Sequence, residues 1–193
     1  MKKIIASCLC LSLCWAFADF TDVEYSWYKG SILELQKQWL ANGYGDGRYG
    51  PENNVTRAEI LTLLMKATNT VPENSSEKCF PDVATNTWYH PYICTAYKLG
   101  LASGFSDGKF KPNDSVTTLE ALTFWFRAFG MKEQIGTGDT WYETLRAFSE
   151  ANNIIPTHSY TLKNIISRGK TAEMITRLQE FKRTNAPVSY KST

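Results

Sequence analysis

Gly43-Tyr44-Gly45-Asp46-Gly47-Arg48-Tyr49-Gly50-Pro51-Glu52-Asn53-Asn54-Val55-Thr56 returns as Gly104-Phe105-Ser106-Asp107-Gly108-Lys109-Phe110-Lys111-Pro112-Asn113-Asp114-Ser115-Val116-Thr117, at an offset of 61 residues throughout. Self-similarity at a fixed period marks a repeat architecture, in which each unit buries its apolar face only against its neighbours. Upstream, Phe20-Thr21-Asp22-Val23 pairs with Phe80-Pro81-Asp82-Val83, and Trp27-Tyr28 with Trp88-Tyr89, one residue having been gained between the two blocks. A third, degraded copy follows. Trp141-Tyr142 opens it, and Ser167-Arg168-Gly169 stands where Thr56-Arg57-Ala58 stands in the first.

Each copy reads as helix, loop, helix. Tyr28, Ile32, Leu35 and Trp39 fall at helical spacing, and their shifted counterparts Tyr89, Ile93, Ala96 and Gly100 keep a small or apolar face. In the second helices Leu63, Leu64 and Ala67 correspond to Phe124, Trp125 and Ala128, then to Met174, Ile175 and Leu178. The expected organisation is a repeat at 19–69, a second at 79–130, a third and degenerate one at 139–183, and a polar tail at 184–193. Units of about fifty residues are too small to bury a core alone, so the three should pack as one all-α domain.

The 193 residues carry 21 Lys+Arg against 19 Asp+Glu, a formal charge of +2 that comes from Lys2 and Lys3. This balance argues against a charge-driven nucleic-acid partner, and none is expected. Met1-Lys2-Lys3, the apolar run Ile4 to Trp15 and the small-x-small Ala16-Phe17-Ala18 read as a secretory signal peptide at 1–18, cleaved after Ala18. The run falls short of the roughly 20 apolar residues that a spanning helix needs, so no transmembrane anchor is expected. Cys8, Cys10 and Cys14 lie inside that segment. Cys79 and Cys94 are then left in an oxidising compartment, where a disulfide between them is expected.

Thr56-Arg57-Ala58-Glu59 reads as a capping box, with the Thr56 hydroxyl and the Glu59 carboxylate satisfying backbone donors of the helix start. Arg57 is unexplained by that reading, since a cation in the first turn opposes the helix macrodipole. Backbone donors, the positive helix end and a guanidinium fork together suit an anion such as a carboxylate or phosphate. Thr117-Thr118-Leu119-Glu120 retains the cap and loses the arginine; Ser167-Arg168-Gly169-Lys170 retains the arginine and loses the acid. A ligand role is therefore expected at Arg57 first and at Arg168 second.

The aromatic-x-Asp-Val opening, the Trp-led first helix, the Gly-aromatic-x-Asp-Gly loop and the Thr-Arg-Ala-Glu helix start resemble the S-layer homology family over most of the chain. The resemblance implies three helical repeats with pseudo-threefold symmetry whose grooves bind cell-wall polysaccharide without covalent attachment. That polymer often bears a pyruvyl ketal or another anionic substituent. It also implies groove residues by motif position: Asp22, Trp27, Gly43 and Arg57 in the first copy, Asp82, Trp88 and Gly104 in the second, Trp141 and Arg168 in the third. Each has a plainer reading. The tryptophans serve equally as core aromatics, the aspartates as caps or turn formers, and the glycines as suppliers of positive φ.

Binding to the cell wall, anchoring the chain itself or a surface protein partner, is the function so expected, with no cofactor, no metal and no catalysis. A protein–protein adaptor or structural part of the envelope is the alternative. Third comes a wall glycoside hydrolase, for which Asp46 and Glu59 are the nearest pair of carboxylates.

Overall fold

The computed structural model describes residues 20–155 and 161–189, so the expected signal peptide lies outside the described residues. These residues form α1 (Lys29–Lys37), α2 (Arg57–Ala67), α3 (His90–Lys98), α4 (Thr118–Ala128), a short 3-10 turn (Lys132–Gln134), α5 (Trp141–Ala151) and α6 (Arg168–Thr184). The all-α architecture holds, as three successive helix pairs. None of these helices is long and apolar enough to cross a membrane.

The pairs close into a ring. In each pair the residue just before the second helix's N-cap is a buried β-branched one: Val55, Val116 or Ile166. Val116 N–H donates to Val55 O at 3.0 Å, Ile166 N–H to Val116 O at 3.0 Å, and Val55 N–H to Ile166 O at 3.2 Å. This cycle of three backbone bonds marks the pseudo-threefold axis. Around it, the first two free amides of each second helix donate to loop carbonyls of another pair. Arg57 and Ala58 N–H reach Asp114 and Pro112 O; Thr118 and Leu119 N–H reach Asn164 and Leu162 O; Arg168 and Gly169 N–H reach Asn53 and Pro51 O.

The caps follow from local sequence. Thr56 with Glu59, and Thr117 with Glu120, make complete capping boxes, and the Ser167 hydroxyl accepts from Lys170 N–H. Outside the axis, α1 packs on α6, α3 on α2 and α2 on α4, while Phe148 of α5 meets Phe126 of α4. One core cluster draws on all three pairs, with Ile32, Leu64, Trp125, Leu145 and Ile175 fully buried.

Arg57 joins the first pair to the second. Its side chain is 3% exposed; Nε donates to Phe110 O at 2.9 Å, Nη2 to Ser103 O at 3.0 Å and Nη1 to Glu120 Oε1 at 2.9 Å. The guanidinium lies over the rings of Phe105, Phe110 and Phe124, 4.6, 4.6 and 5.3 Å from their centroids. Burial pushes its pKa down, and Glu120 acts in the opposite direction by holding the charged form.

The linker between the first two pairs is strapped along α3. Cys79 and Cys94 form the expected disulfide, Glu73 N–H donates to the Thr95 hydroxyl, and Lys98 pairs with Glu73 at 2.7 Å. His90 is buried with Nε2 3.0 Å from Glu77 O. The segment read as a polar tail differs from expectation: Val188 is buried, and its backbone bonds Asn152 O and the Asn153 side chain.

Each of the six helices is followed by a residue at positive φ: Trp39, Asn69, Gly100, Gly130, Asn153 and Asn185. Glycine and asparagine are the usual occupants of this left-handed position. Trp39 (φ 60°) is the exception. It stands beyond the end of α1, 71% exposed, and so leaves the apolar face on which its spacing had placed it. A large L-residue there costs roughly 1–2 kcal/mol. The bonds that close this helix end, Trp39 N–H to Gln36 O and Leu40 N–H to Leu35 O, match those at Gly100 and Leu101.

Arg57→Ala strands the Glu120 carboxylate and empties the space between three rings; it should cost about 3 kcal/mol and lower Tm by roughly 6–12 °C. Circular-dichroism melting reads this, and a shift under 2 °C (roughly the smallest effect of 1 kcal/mol at this size) contradicts the latch. Replacing Cys79 and Cys94 together by Ser should cost about 3 kcal/mol. Mass spectrometry of the non-reduced protein should show the crosslink, and two free thiols would refute it.

Candidate functional site

Most of the residues placed in grooves by motif position hold the scaffold together. Asp22 accepts from Tyr49 and Gly50 N–H, both at 2.8 Å, and Asp82 accepts from Phe110 and Lys111 N–H at 2.9 and 2.7 Å. Each carboxylate thus pins the loop of its own repeat. Gly43 and Gly104 are small for packing. A Cβ on Gly43 would lie 2.5 Å from a Phe20 ring carbon and 2.6 Å from Arg48 O, and Gly104 meets Phe80 and Lys109 O in the same way. Trp27 is 92% exposed, and Trp141 is half-buried against the core.

The combination of helix-end amides with an arginine is not available to an anion. The amides of Arg57, Ala58, Arg168 and Gly169 are all spent on loop carbonyls. Arg57 itself is enclosed by Phe105, Phe110 and Phe124 and neutralised by Glu120. The geometry thus encloses Arg57 and leaves Arg168 the more exposed of the two.

Arg168 occupies the same position between the third pair and the first. Nε donates to Tyr49 O and Nη2 to Asn42 O, each at 2.8 Å, the shifted equivalents of Phe110 O and Ser103 O. Its guanidinium lies over Tyr49 and Tyr44, 4.6 and 5.1 Å from their centroids. Burial pushes the Tyr49 phenol up to about 12. The ion pair is what differs. Glu59, the counterpart of Glu120, uses Oε2 to accept from Thr56 N–H and Oγ, and among the described residues no carboxylate lies within ion-pairing distance of Arg168.

What Arg168 faces instead is a cleft of about 270 Å³. Its walls come from all three pairs: Asn42 and Tyr49 from the first loop, Glu59, Leu63 and Lys66 along α2, Trp88 ahead of α3, and Arg168 with Thr171 on α6. Leu63 stands where the second pair has Phe124, one of the rings that closes over Arg57. The smaller, non-aromatic side chain leaves this cleft open. Thr171 stands where the first pair has Ile60, and its buried hydroxyl has no hydrogen-bond partner among the described residues. At the remaining ring position Thr118 replaces arginine, buried with Oγ donating to Asn164 O at 3.2 Å.

The cleft offers an anion two cations, Arg168 and Lys66. It offers hydroxyls the Glu59 carboxylate and Thr171, and an apolar ring face the indole of Trp88, 58% exposed. Lys66 and Thr171 carry no motif signal; the alignment of copies shows the second only as Thr against Ile60 and Ala121. The carboxylate pair considered for hydrolysis is not assembled here, because only Glu59 lines the cleft. Asp46 bonds Arg48, whose backbone N–H and side chain hold its carboxyl below the usual range, the wrong direction for a proton donor.

Residues 18–61 and 80–122 match the S-layer homology domain. A cell surface protein of Thermoanaerobacter kivui is 31% identical over 93% of this chain and 25% of its own length. The exoglucanase XynX of Acetivibrio thermocellus is 31% identical over 83% of this chain and 16% of its own. The middle cell wall protein of Brevibacillus brevis is 28% identical over 75% of this chain and 14% of its own. This chain thus spans a quarter or less of the length of these relatives. The first two helix pairs of the ring are S-layer homology repeats.

Proposed function

We propose that the protein binds an anionic group of a cell-wall polysaccharide in the Arg168 cleft, and so holds itself or an attached partner at the cell surface. The observation that carries this reading is a guanidinium on an aromatic platform, without a carboxylate partner among the described residues, facing an open cleft. A charge-assisted fork to a carboxylate is the strong interaction open to such a group. A carboxylate-bearing ketal on a hexosamine fits the set: anion on Arg168 and Lys66, hydroxyls toward Glu59 and Thr171, ring face against Trp88. The match to the S-layer homology domain and the surface and wall proteins among the relatives support the same reading. The third helix pair, with Ser167 capping and Arg168 gripping, is a degenerate third repeat in this reading, and residues 1–18 direct export.

The test is co-sedimentation with isolated bacterial walls, before and after their secondary polymer is stripped with acid. Arg168→Ala should weaken pelleting at least tenfold, and Lys66→Ala, at an exposed position, roughly threefold to tenfold with Tm unchanged. Arg57→Ala, measured below its lowered Tm, should bind as the parent does. Equal pelleting of parent and both cleft variants, or undiminished pelleting with stripped walls, overturns the assignment.

A further inference from the structure

Among the described residues two buried side-chain polar atoms have no hydrogen-bond partner, Trp125 Nε1 and Thr171 Oγ. Trp125 lies in the core, whereas Thr171 forms part of the wall of the Arg168 cleft. The other buried hydroxyls among these residues, on Thr95, Thr118, Thr123, Ser149 and Ser167, are all bonded. A helical threonine has a partner close by in the carbonyl four residues back, and Thr62, Thr123 and Thr184 each donate to it. Thr171 does not take the equivalent bond to Ser167 O. Nor does the fold need a hydroxyl here, since Ile60 and Ala121 stand at the same place in the other two pairs, both fully buried. A buried hydroxyl left unbonded is less favourable than the methyl that could replace it.

We infer that Thr171 sets the specificity of the cleft: its hydroxyl is reserved for a free hydroxyl on the same sugar that carries the anionic group. The inference rests on the reading of the cleft given above and adds to it which anionic sugars the cleft refuses. Arg168 and Thr171 are three residues apart on α6, which puts them on one face of the helix, so the two read neighbouring substituents of a single ring. Glu59 lines the same cleft, with its Oε2 on Thr56. A sugar hydroxyl between the two walls can donate to the Glu59 carboxylate and accept from Thr171, because a hydroxyl is both donor and acceptor. A turn about χ1 from one staggered position to the next exchanges the Thr171 methyl and oxygen without moving the helix, so this bond can form as the sugar enters. Charge alone does not tell one acidic sugar from another. A hydroxyl read in a buried position does, because an analogue without it leaves Thr171 and Glu59 facing a ligand that cannot bond them.

Isothermal titration of the full chain with two probes tests this: the methyl glycoside of a pyruvylated hexosamine that retains one ring hydroxyl, and its counterpart with that hydroxyl replaced by hydrogen. The parent should prefer the first by roughly tenfold to hundredfold. Thr171→Val keeps the shape of the side chain. It should bind the first probe roughly tenfold more weakly, bind the second as the parent does, and raise Tm by roughly 2–4 °C. Thr171→Ser keeps the hydroxyl and should retain most of the preference, while Arg168→Ala should lose both probes. If Thr171→Val binds the first probe as the parent does and Arg168→Ala does not, the specificity role is refuted and the cleft stands. A loss by the same factor on both probes refutes it too, since Thr171 would then be shaping the cleft and not reading the hydroxyl. A Tm lowered by more than about 2 °C in Thr171→Val has the same consequence, because the hydroxyl would then be stabilising the fold. If neither variant loses affinity, or the parent binds neither probe, both readings fall.

Discussion

Three backbone hydrogen bonds, running from Val116 to Val55, from Ile166 to Val116 and from Val55 to Ile166, close the chain on itself, and the rest of the structure depends on that closure. An open stack of repeats leaves its end units with unsatisfied faces. A closed ring of three has none. The six amides around the axis make the dependence sharper, because each second helix begins with two donors whose acceptors belong to another pair. A helix start buried without partners is strongly unfavourable, so no pair completes its backbone bonding before its neighbours are in place. The packing of α1 on α6 shows the same closure in side chains, joining the first helix to the last.

Once the ring fixes three equivalent positions, the sequence treats them differently. At Arg57 the site is filled: Phe124 and Phe105 cover the guanidinium and Glu120 neutralises it. A buried cation is tolerable only when paired and bonded, and three carbonyl or carboxylate acceptors meet that condition. At Arg168 the carbonyl grip is retained and the ion pair is not, so a cation is presented where an anion can reach it. At Thr118 the grip is gone. One position has thus become structural, one is suited to a ligand, and one is a short polar contact, all on one backbone frame. The difference between the first two lies in a few side chains, Phe124 against Leu63 and Ile60 against Thr171, while their main-chain bonds are the same.

The repeat offset and the caps were legible because both are local. A Thr three residues before a Glu closes a capping box whatever lies around it, and Thr56, Thr117 and Ser167 all cap as their sequence indicates. The disulfide was legible for a similar reason, two thiols near in sequence, the other three cysteines all lying within residues 1–18. What escaped was whatever a neighbouring repeat supplies. The partners of Arg57 lie 46 to 63 residues away, and in one copy read alone its charge looks unanswered. Asp22 and Asp82 had the composition of a site, yet their carboxylates bond the loops of their own repeats 27 to 29 residues on. The cleft draws walls from three copies, so no motif within one copy could outline it. A usable signal was present all the same. Phe105, Phe110 and Phe124 against Tyr44, Tyr49 and Leu63 is an aromatic enclosure in one copy and a looser, more polar surface in the other.

The uneven fate of the three positions bears on how strongly such a ring can hold a polymer. Three equal clefts on a rigid frame would bind a repeating glycan multivalently, each further contact made at high effective concentration. Here one arginine is enclosed and one is replaced by Thr118. Affinity that is not drawn from repetition around the ring must be drawn from the surroundings of the cleft that remains. Those surroundings carry Lys66, Trp88, Glu59 and Thr171. On the proposed reading, such a ring grips the polymer at the one cleft whose walls carry both cations and the Trp88 indole, and not at three equivalent points.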